Sequence, residues 1–315
     1  MKKFRFTALA VVGCFVFFLF GRTFFAQDKF YSGKSYSDKS YGVFIGMGKE
    51  EGMKLNNYEV LVIEPSEFDK DNIEKLHEKN KKIYAYLNIG SLENYRPYYE
   101  KFKDKVLGNY ENWEDEYWMD VSNKEWQNLV VDELGKNISY KGFDGFFIDN
   151  CDVYYQFQDE KTFDGLCSIL NGLRKYHLDT IINGGDTFVS KCIDDKMAKE
   201  MFDGVNQECA FTSIDFENKK YGEKSAKDSE YFIQYLDKVK KDTMVVFLIE
   251  YGADDTLSKK IEKYYYFEIL NDELKIISTE IFDEHYIEEI QIDTNDKINK
   301  NVPLNIIKLY SNNIY

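Results

Sequence analysis

The chain has 315 residues, a formal net charge of −15 and a composition in which 43% of residues are hydrophobic. This apolar content is sufficient for one large core and excludes a disordered chain. The acidic balance argues against a nucleic-acid partner, because phosphates recruit Lys and Arg. It suits a neutral or cationic partner, although solubility alone also explains a surplus of surface acid.

The N-terminus has the pattern of an export signal. Basic residues at positions 2, 3 and 5 precede an uncharged apolar run from residue 6 to residue 21. We therefore expect residues 1–26 to be a signal peptide or a signal anchor, with the rest of the chain exported. Any membrane contact is expected only through this segment, if it stays uncleaved. Residues 27–40 are rich in Ser, Lys and Tyr and are expected to form a linker.

Short apolar segments then alternate with amphipathic helices. This rhythm predicts parallel strands, and eight strands in this length match a (β/α)8 TIM barrel. The predicted domain spans residues 41–270. A doubly wound open sheet is the alternative, but no Gly-rich phosphate loop follows the first strand. Residues 271–315 form a C-terminal extension without an assigned structure. The predicted strands are 41–46, 58–65, 81–90, 116–121, 142–150, 179–185, 204–209 and 243–252.

The predicted strands share one feature, which is a polar residue at the C-terminal end. In a TIM barrel these ends meet at one mouth, where the working residues lie. A turn or a helix cap explains any single one of these residues, but such local roles explain the whole set less well than a shared site does. The set comprises Glu64, Asn88, Asp120, Asp149, Asn183, Asp186, Glu208 and Glu250.

Elimination favours carboxylate chemistry. The chain has three histidines, and two of them fall within or at the end of predicted helices. This leaves no convincing Ser-His-Asp triad and no His-based zinc site. Glycoside hydrolases use two carboxylates that face each other across a pocket. A Ca²⁺ or Mg²⁺ site is the lesser alternative, because no compact Asp-rich ligand loop is present. We therefore expect no cofactor and no metal.

Five segments follow one another in the order YAYLNIGSLENYR, YWMDVSNKEWQNLV, GFDGFFIDNCDVY, VNQECAFT and FLIEYG. They resemble the successive motifs of glycoside hydrolase family 114, which contains endo-α-1,4-polygalactosaminidases on a TIM-barrel fold. The resemblance implies an exported enzyme that cuts a galactosamine-containing polysaccharide. It carries the two catalytic positions onto Asp149 and Glu208. Cys151 and the tail after Leu270 depart from the family pattern.

The residues themselves are consistent with these roles. Asp149 would act as the nucleophile or as a base towards water, and Glu208 as the general acid with a pKa raised by desolvation. Asp144 precedes the strand body and is expected to be structural. A non-catalytic carbohydrate-binding barrel remains the alternative function. The candidate substrate-binding residues are Glu64, Asn88, Asp120 and Glu250 for hydroxyl or ammonium groups, Trp118, Tyr154 and Tyr251 for stacking, and Asp152 as a supporting or turn residue.

Four cysteines follow the N-terminal segment: Cys151, Cys167, Cys192 and Cys209. Outside the cytoplasm an even number permits disulfides, with three possible pairings. Cys151 and Cys209 are candidate partners, because each lies beside a proposed catalytic residue. Buried free thiols are the alternative.

Overall fold

A computed structural model describes residues 40–111, 113–216, 218, 220–253, 256, 257, 261, 274–280 and 305–308. The strands are β1 (Ser40–Phe44), β2 (Tyr58–Ile63), β3 (Lys82–Asn88), β4 (Ser91–Glu93), β5 (Val106–Asn109), β6 (Glu116–Met119), β7 (Gly145–Asp149), β8 (Asp179–Asn183), β9 (Gly204–Glu208), β10 (Thr212–Asp215), β11 (Lys220–Glu223), β12 (Val245–Tyr251), β13 (Leu274–Glu280) and β14 (Asn305–Lys308).

The α-helices include α1 (Lys49–Gly52), α2 (Lys70–His77), α3 (Tyr99–Phe102), α4 (Lys124–Asn128), α5 (Lys136–Lys141), α6 (Val153–Gln156), α7 (Glu160–Leu173), α8 (Asp186–Asp194), α9 (Ala198–Met201) and α10 (Ala226–Lys241). A π-helix, Leu129–Gly135, joins α4 to α5. The export segment and the linker before Ser40 lie outside the described residues. Within the described part of the chain, no helix is both long enough and apolar enough to cross a membrane.

One curled parallel sheet organises the molecule. Its strand order is β1, β2, β3, β7, β8, β9, β12, β13, β14. Neighbouring strands are parallel throughout, and β14 lies beside β1. The prediction of a TIM-barrel fold is confirmed. Seven of the predicted strands belong to this sheet, and β13 and β14 from the predicted extension continue it.

The assignment of the fourth predicted strand to the barrel was wrong. Residues 116–119 do form a strand, β6, but it pairs antiparallel with β4 and β5 in a separate small sheet. As a result, β3 pairs directly with β7. Apolar alternation identifies a strand but does not say which sheet it joins, and this explains the error.

Most residues of the parallel strands β2, β3, β7, β8, β9 and β12 are buried on both faces of the sheet. In β3 every residue from Ile83 to Asn88 is buried. Helix α7 covers the sheet with Leu166, Leu170 and Leu173, each fully buried and spaced by three or four positions. Truncating one such side chain to Ala costs about 2–5 kcal/mol of stability.

Each of three central strands ends in a sharp backbone turn. The next residue has a positive φ: 64° at Asn150, 64° at Gly184 and 52° at Cys209. At Gly184 a Cβ would also lie 2.7 Å from Oδ2 of Asp152, so a side chain there would require Asp152 to move. The chain therefore leaves these strands abruptly, and their last residues stand at the rim of the sheet.

Candidate active site

Two carboxylates meet one amide at the rim of the sheet. Nδ2 of Asn183 donates to Oδ1 of Asp149 at 2.9 Å and to Oε1 of Glu208 at 2.7 Å. The three residues end the adjacent strands β7, β8 and β9. The two residues predicted to be catalytic are thus brought together, and a single side chain contacts both of them.

A buried tyrosine holds each carboxylate from the other side. The Tyr86 hydroxyl donates to Oδ2 of Asp149 at 2.8 Å. The Tyr251 hydroxyl donates to Oε2 of Glu208 at 2.5 Å. Tyr251 is only 3% exposed, so its ring is not available to stack on a sugar as predicted. It instead fixes the orientation of Glu208.

A polar chain behind the site fixes the amide itself. Nδ2 of Asn206 donates to Oδ1 of Asn183 at 2.6 Å, and the Tyr41 hydroxyl donates to Oδ1 of Asn206 at 3.1 Å. Asn206 is fully buried and Tyr41 nearly so. Because the Asn183 oxygen is occupied by this chain, its NH₂ group must face the two carboxylates.

Burial and mutual repulsion perturb the carboxylates. Burial, together with the charge of Glu208, raises the pKa of Asp149 to about 6. Burial, with the charges of Asp186 and Asp149, raises the pKa of Asp152 to about 7. Asp152 accepts a 3.1 Å hydrogen bond from the Gly185 amide, so it braces the turn after β8. Perturbed carboxyls grouped in this way are typical of catalytic sites.

Glu116 is a further carboxylate at this end of the sheet. Its Oε1 accepts hydrogen bonds from Asn88, Ser91 and Asn150. Burial, with the charges of Glu93 and Asp149, raises the pKa of Glu116 to about 7. Asn88, a predicted sugar ligand, is only 3% exposed and is occupied with Glu116 and Ser91. Its position indicates that it supports Glu116.

Tyr110 lies near the carboxylates. Its hydroxyl donates to Oδ1 of Asn150 at 3.1 Å. Burial raises the pKa of Tyr110, and the charges of Asp149 and Asp152 contribute. Trp118, predicted to stack on sugar, instead stacks on the Tyr110 ring at 4.1 Å and is 5% exposed. Trp118 therefore supports Tyr110 from behind.

Two predicted ligands form ion pairs with basic side chains. Arg96 donates to both carboxylate oxygens of Glu64 at 3.1 Å, and it also pairs with Glu93. Lys161 pairs with Asp120 at 2.8 Å, and the Ser122 hydroxyl donates to the same carboxylate. These contacts give Glu64 and Asp120 structural partners that the sequence did not reveal.

Two other predicted ligands face the interior. Glu250 is 0% exposed, and its oxygens accept from the amides of Phe211 and Thr212 and from the Thr212 hydroxyl. This burial does not fit a contact with substrate; Glu250 organises the loop after Glu208. Tyr154 packs against the Phe163 ring at 5.4 Å. That contact indicates a core role.

The sequence reasoning missed Tyr86, Tyr110, Glu116 and Arg96. A signal existed for Tyr86, because it precedes Asn88 by two positions in a strand and therefore shares its face. No comparable signal pointed to Glu116, which begins the strand that was assigned to the wrong sheet.

The four cysteines are free thiols, so the Cys151–Cys209 pairing is absent. The Cys167 and Cys192 thiols hydrogen-bond to each other, and Cys151 lies close enough to interact with both. Burial raises the pKa of the Cys209 thiol to about 12, and the charges of Glu250 and Glu208 add to this shift.

The model of the glycoside-hydrolase family GH114 matches residues 35–283. The chain belongs to this family. Its membership supports glycoside hydrolase activity. A curated relative, the uncharacterized protein MJ1477 of Methanocaldococcus jannaschii, is 32% identical over 112 residues, which cover 31% of this chain and 32% of that protein. The chain thus spans about a third of the length of this relative.

Solved structures share the fold. The glycoside hydrolase domain of PelA from Pseudomonas aeruginosa has a TM-score of 0.59 at 16% identity, covering 76% of this chain and 94% of that chain. Ega3 of Aspergillus fumigatus, in complex with galactosamine, has a TM-score of 0.50 at 19% identity, covering 69% of this chain and 77% of that chain. At such identities the likeness establishes the fold of this GH114 protein.

Proposed function

We propose that this GH114 protein hydrolyses a polysaccharide that contains α-1,4-linked galactosamine, with Asp149 and Glu208 as its catalytic pair. The observation that carries the proposal is the Asn183 amide at the end of β8, which donates to the carboxylates at the ends of the strands on either side of it, β7 and β9. Two carboxyls at the C-terminal mouth of a barrel are the minimal equipment for cleaving a glycosidic bond.

The spacing of the pair favours retention of anomeric configuration. Oδ1 of Asp149 and Oε1 of Glu208 both lie within 2.9 Å of one nitrogen, so these oxygens are separated by less than about 6 Å. Retaining enzymes hold their carboxyls about 5–5.5 Å apart, whereas inverting enzymes need about 6.5–9.5 Å to admit a water molecule.

We propose a mechanism that uses this geometry. Ionised Asp149 attacks the anomeric carbon while Glu208 donates a proton to the leaving oxygen, giving a glycosyl ester on Asp149. Glu208 then takes a proton from water, which releases the sugar and restores Asp149. The hydrogen bonds from Tyr86 and Tyr251 hold the two carboxylates in position during both steps.

The charge of the site supports a cationic amino sugar. Among the described residues, Asp149, Glu208, Glu116 and Asp152 form no ion pair with Lys, Arg or His, in contrast to the neutralised Glu64. No basic side chain compensates the ionised fraction of these carboxyls, and such negative charge in a cleft attracts a positively charged substrate. A galactosamine unit with a free amine carries such a charge, and Ega3 binds galactosamine.

The test is incubation of the full chain with α-1,4-linked galactosamine polymers of varied acetylation, followed by mass spectrometry of the products. We expect shortened oligomers, most abundant from the least acetylated polymer. Proton NMR of the first product formed should show the α-anomer. Binding without any cleavage would identify a non-catalytic carbohydrate-binding barrel instead. Absence of both binding and cleavage would overturn the substrate assignment.

Export remains part of this proposal. A polymer substrate outside the cell requires an exported enzyme, and the apolar run at residues 6–21 provides the candidate signal. The mass of the mature protein, measured from the producing cells and from the medium, should correspond either to loss of about 26 residues or to an intact anchored chain. Full-length protein free in the cytoplasm would contradict export.

A further inference from the structure

Two insertions flank the strands that carry the catalytic pair. The small sheet of β4, β5 and β6 is inserted between β3 and β7, and the β10–β11 hairpin is inserted between β9 and β12. In the parallel sheet, β7, β8 and β9 lie between these two points. The insertions therefore rise on opposite sides of Asp149, Asn183 and Glu208.

The tips of the two insertions touch. The Trp113 ring, just before β6, meets the Phe216 ring at the turn of the hairpin edge to face, with centroids 6.2 Å apart. Since the tips come from opposite sides of the pair, this contact spans the mouth. We call Trp113 and Phe216 the aromatic bridge.

The aromatic bridge is exposed although its rings are large and apolar. Trp113 is 41% exposed and Phe216 is 37% exposed. Tyr110 belongs to the same insertion as Trp113, and its hydroxyl lies beside Asn150, which directly follows Asp149. The insertion therefore continues from the exposed tip down to the carboxylates, and the bridge is continuous with the candidate site.

We propose that the aromatic bridge is a stacking subsite that holds a sugar unit of the polymer next to the bond being cleaved. This inference rests on the proposed function. Exposed aromatic rings beside a polar cleft offer an apolar face to the C–H side of a sugar ring, while the carboxylates take its polar groups. Tyr140, 71% exposed on α5, is an exposed aromatic in a different setting, with the Lys70 ammonium 5.6 Å from its ring centroid.

Tryptophan fluorescence gives a direct test. The chain has three tryptophans, and Trp118 and Trp126 are 5% and 0% exposed, so a ligand at the surface should affect Trp113. In an Asp149→Asn background, in which cleavage should be slow, galactosamine oligomers should shift the emission on binding. The shift should disappear with Trp113→Phe. Binding measured by calorimetry with no emission change would overturn the inference.

Kinetics provide a second readout. Trp113→Ala and Phe216→Ala should each lower kcat/KM on long oligomers by about 3- to 10-fold, which corresponds to the loss of one aromatic contact. The exposed control Tyr140→Ala should leave kcat/KM unchanged. If the parent enzyme cleaves the polymer and both bridge variants cleave it equally fast, the inference alone fails. If the parent neither binds nor cleaves it, the proposed function fails, and the inference fails with it.

Discussion

The hydroxyl of Tyr86 donates a 2.8 Å hydrogen bond to Oδ2 of Asp149 across the neighbouring strands β3 and β7. This bond favours the ionised carboxylate and lowers its pKa, while burial and Glu208 raise the pKa to about 6 overall. Tyr86 is therefore a positioning residue whose effect should be visible in a pH profile.

We predict that kcat/KM falls below about pH 6, because Asp149 must be ionised to attack. Tyr86→Phe removes a stabilising hydrogen bond, so this acid limb should move upward by about half to one pH unit. The measurement is the pH dependence of kcat/KM from pH 4 to pH 9. Tyr84→Phe is the matched control, since its hydroxyl contacts Asp179 in the same sheet. If the acid limb of kcat/KM lies at the same pH in both variants, the proposed role of Tyr86 is wrong.

Removing either catalytic carboxylate should abolish most turnover. Asp149→Asn and Glu208→Gln keep the shape of the side chain and should each lower kcat by roughly 10²-fold or more. Substrate affinity should persist, because amides still form hydrogen bonds. The matched control is Asp144→Asn. Asp144 accepts a 2.8 Å bond from the Ile83 amide, so its variant should lose about 1 kcal/mol of stability while its folded fraction retains activity. Parental turnover by either catalytic variant would refute the assignment.

The sequence predicted the barrel and the polar residues at its strand ends, because both depend on local patterns: apolar strand bodies and the residues that end them. It did not predict what those polar residues contact. Glu64 is neutralised by Arg96, thirty-two positions away, and Glu250 is enclosed by the loop that contains Thr212. Such long-range partners leave no periodic trace in the chain, and they decide which strand-end residues face a ligand.

Asp152 should make stability depend on pH. Burial, with Asp186 and Asp149, raises its pKa to about 7, so the folded state holds this proton more tightly than the unfolded chain. Protonation of Asp152 therefore stabilises the folded state. This stabilisation is complete below about pH 4, the pKa of Asp in an unfolded chain, and it is lost as the pH rises to about 7. Asp152→Asn, which does not ionise, should therefore exceed the parent by about 1–3 kcal/mol at pH 8 and match it near pH 4.

The measurement is urea denaturation at both pH values. Asp159→Asn is the control of opposite sign, because hydrogen bonds from Thr162 at the start of α7 lower the pKa of Asp159. This control should not gain stability at pH 8. If the free energy of unfolding depends on pH in the same way in the parent and in Asp152→Asn, the pKa of Asp152 is not raised.

Oxidation should form a disulfide bond between α7 and α8. The Cys167 and Cys192 thiols are hydrogen-bonded, and the rings of Phe163 and Phe188, one turn earlier in each helix, are 5.4 Å apart. Refolding with oxidised glutathione should convert the two thiols to a disulfide, with release of two reduced glutathiones. The midpoint of thermal unfolding should rise by about 5–10 °C.

Alkylation and peptide mass mapping identify the bridge. Cys209→Ala, which keeps both partners, should form the same cross-link and show the same thermal shift, while the double variant Cys167→Ala/Cys192→Ala should show neither. Two alkylated thiols at these positions in the oxidised parent, or a bridge through Cys151 or Cys209, would contradict the pairing.

The contact between Tyr41 and Asn206 has a consequence for how the enzyme matures. Tyr41 belongs to the first strand and Asn206 to a strand 165 residues later, and their bond fixes the amide that joins the two carboxylates. During synthesis the catalytic groups emerge well after Tyr41, yet their amide is set only once the two distant strands have docked. A nascent or partly folded chain would thus carry both carboxylates without the amide that orients them, so under the proposed function activity appears only when long-range assembly is complete.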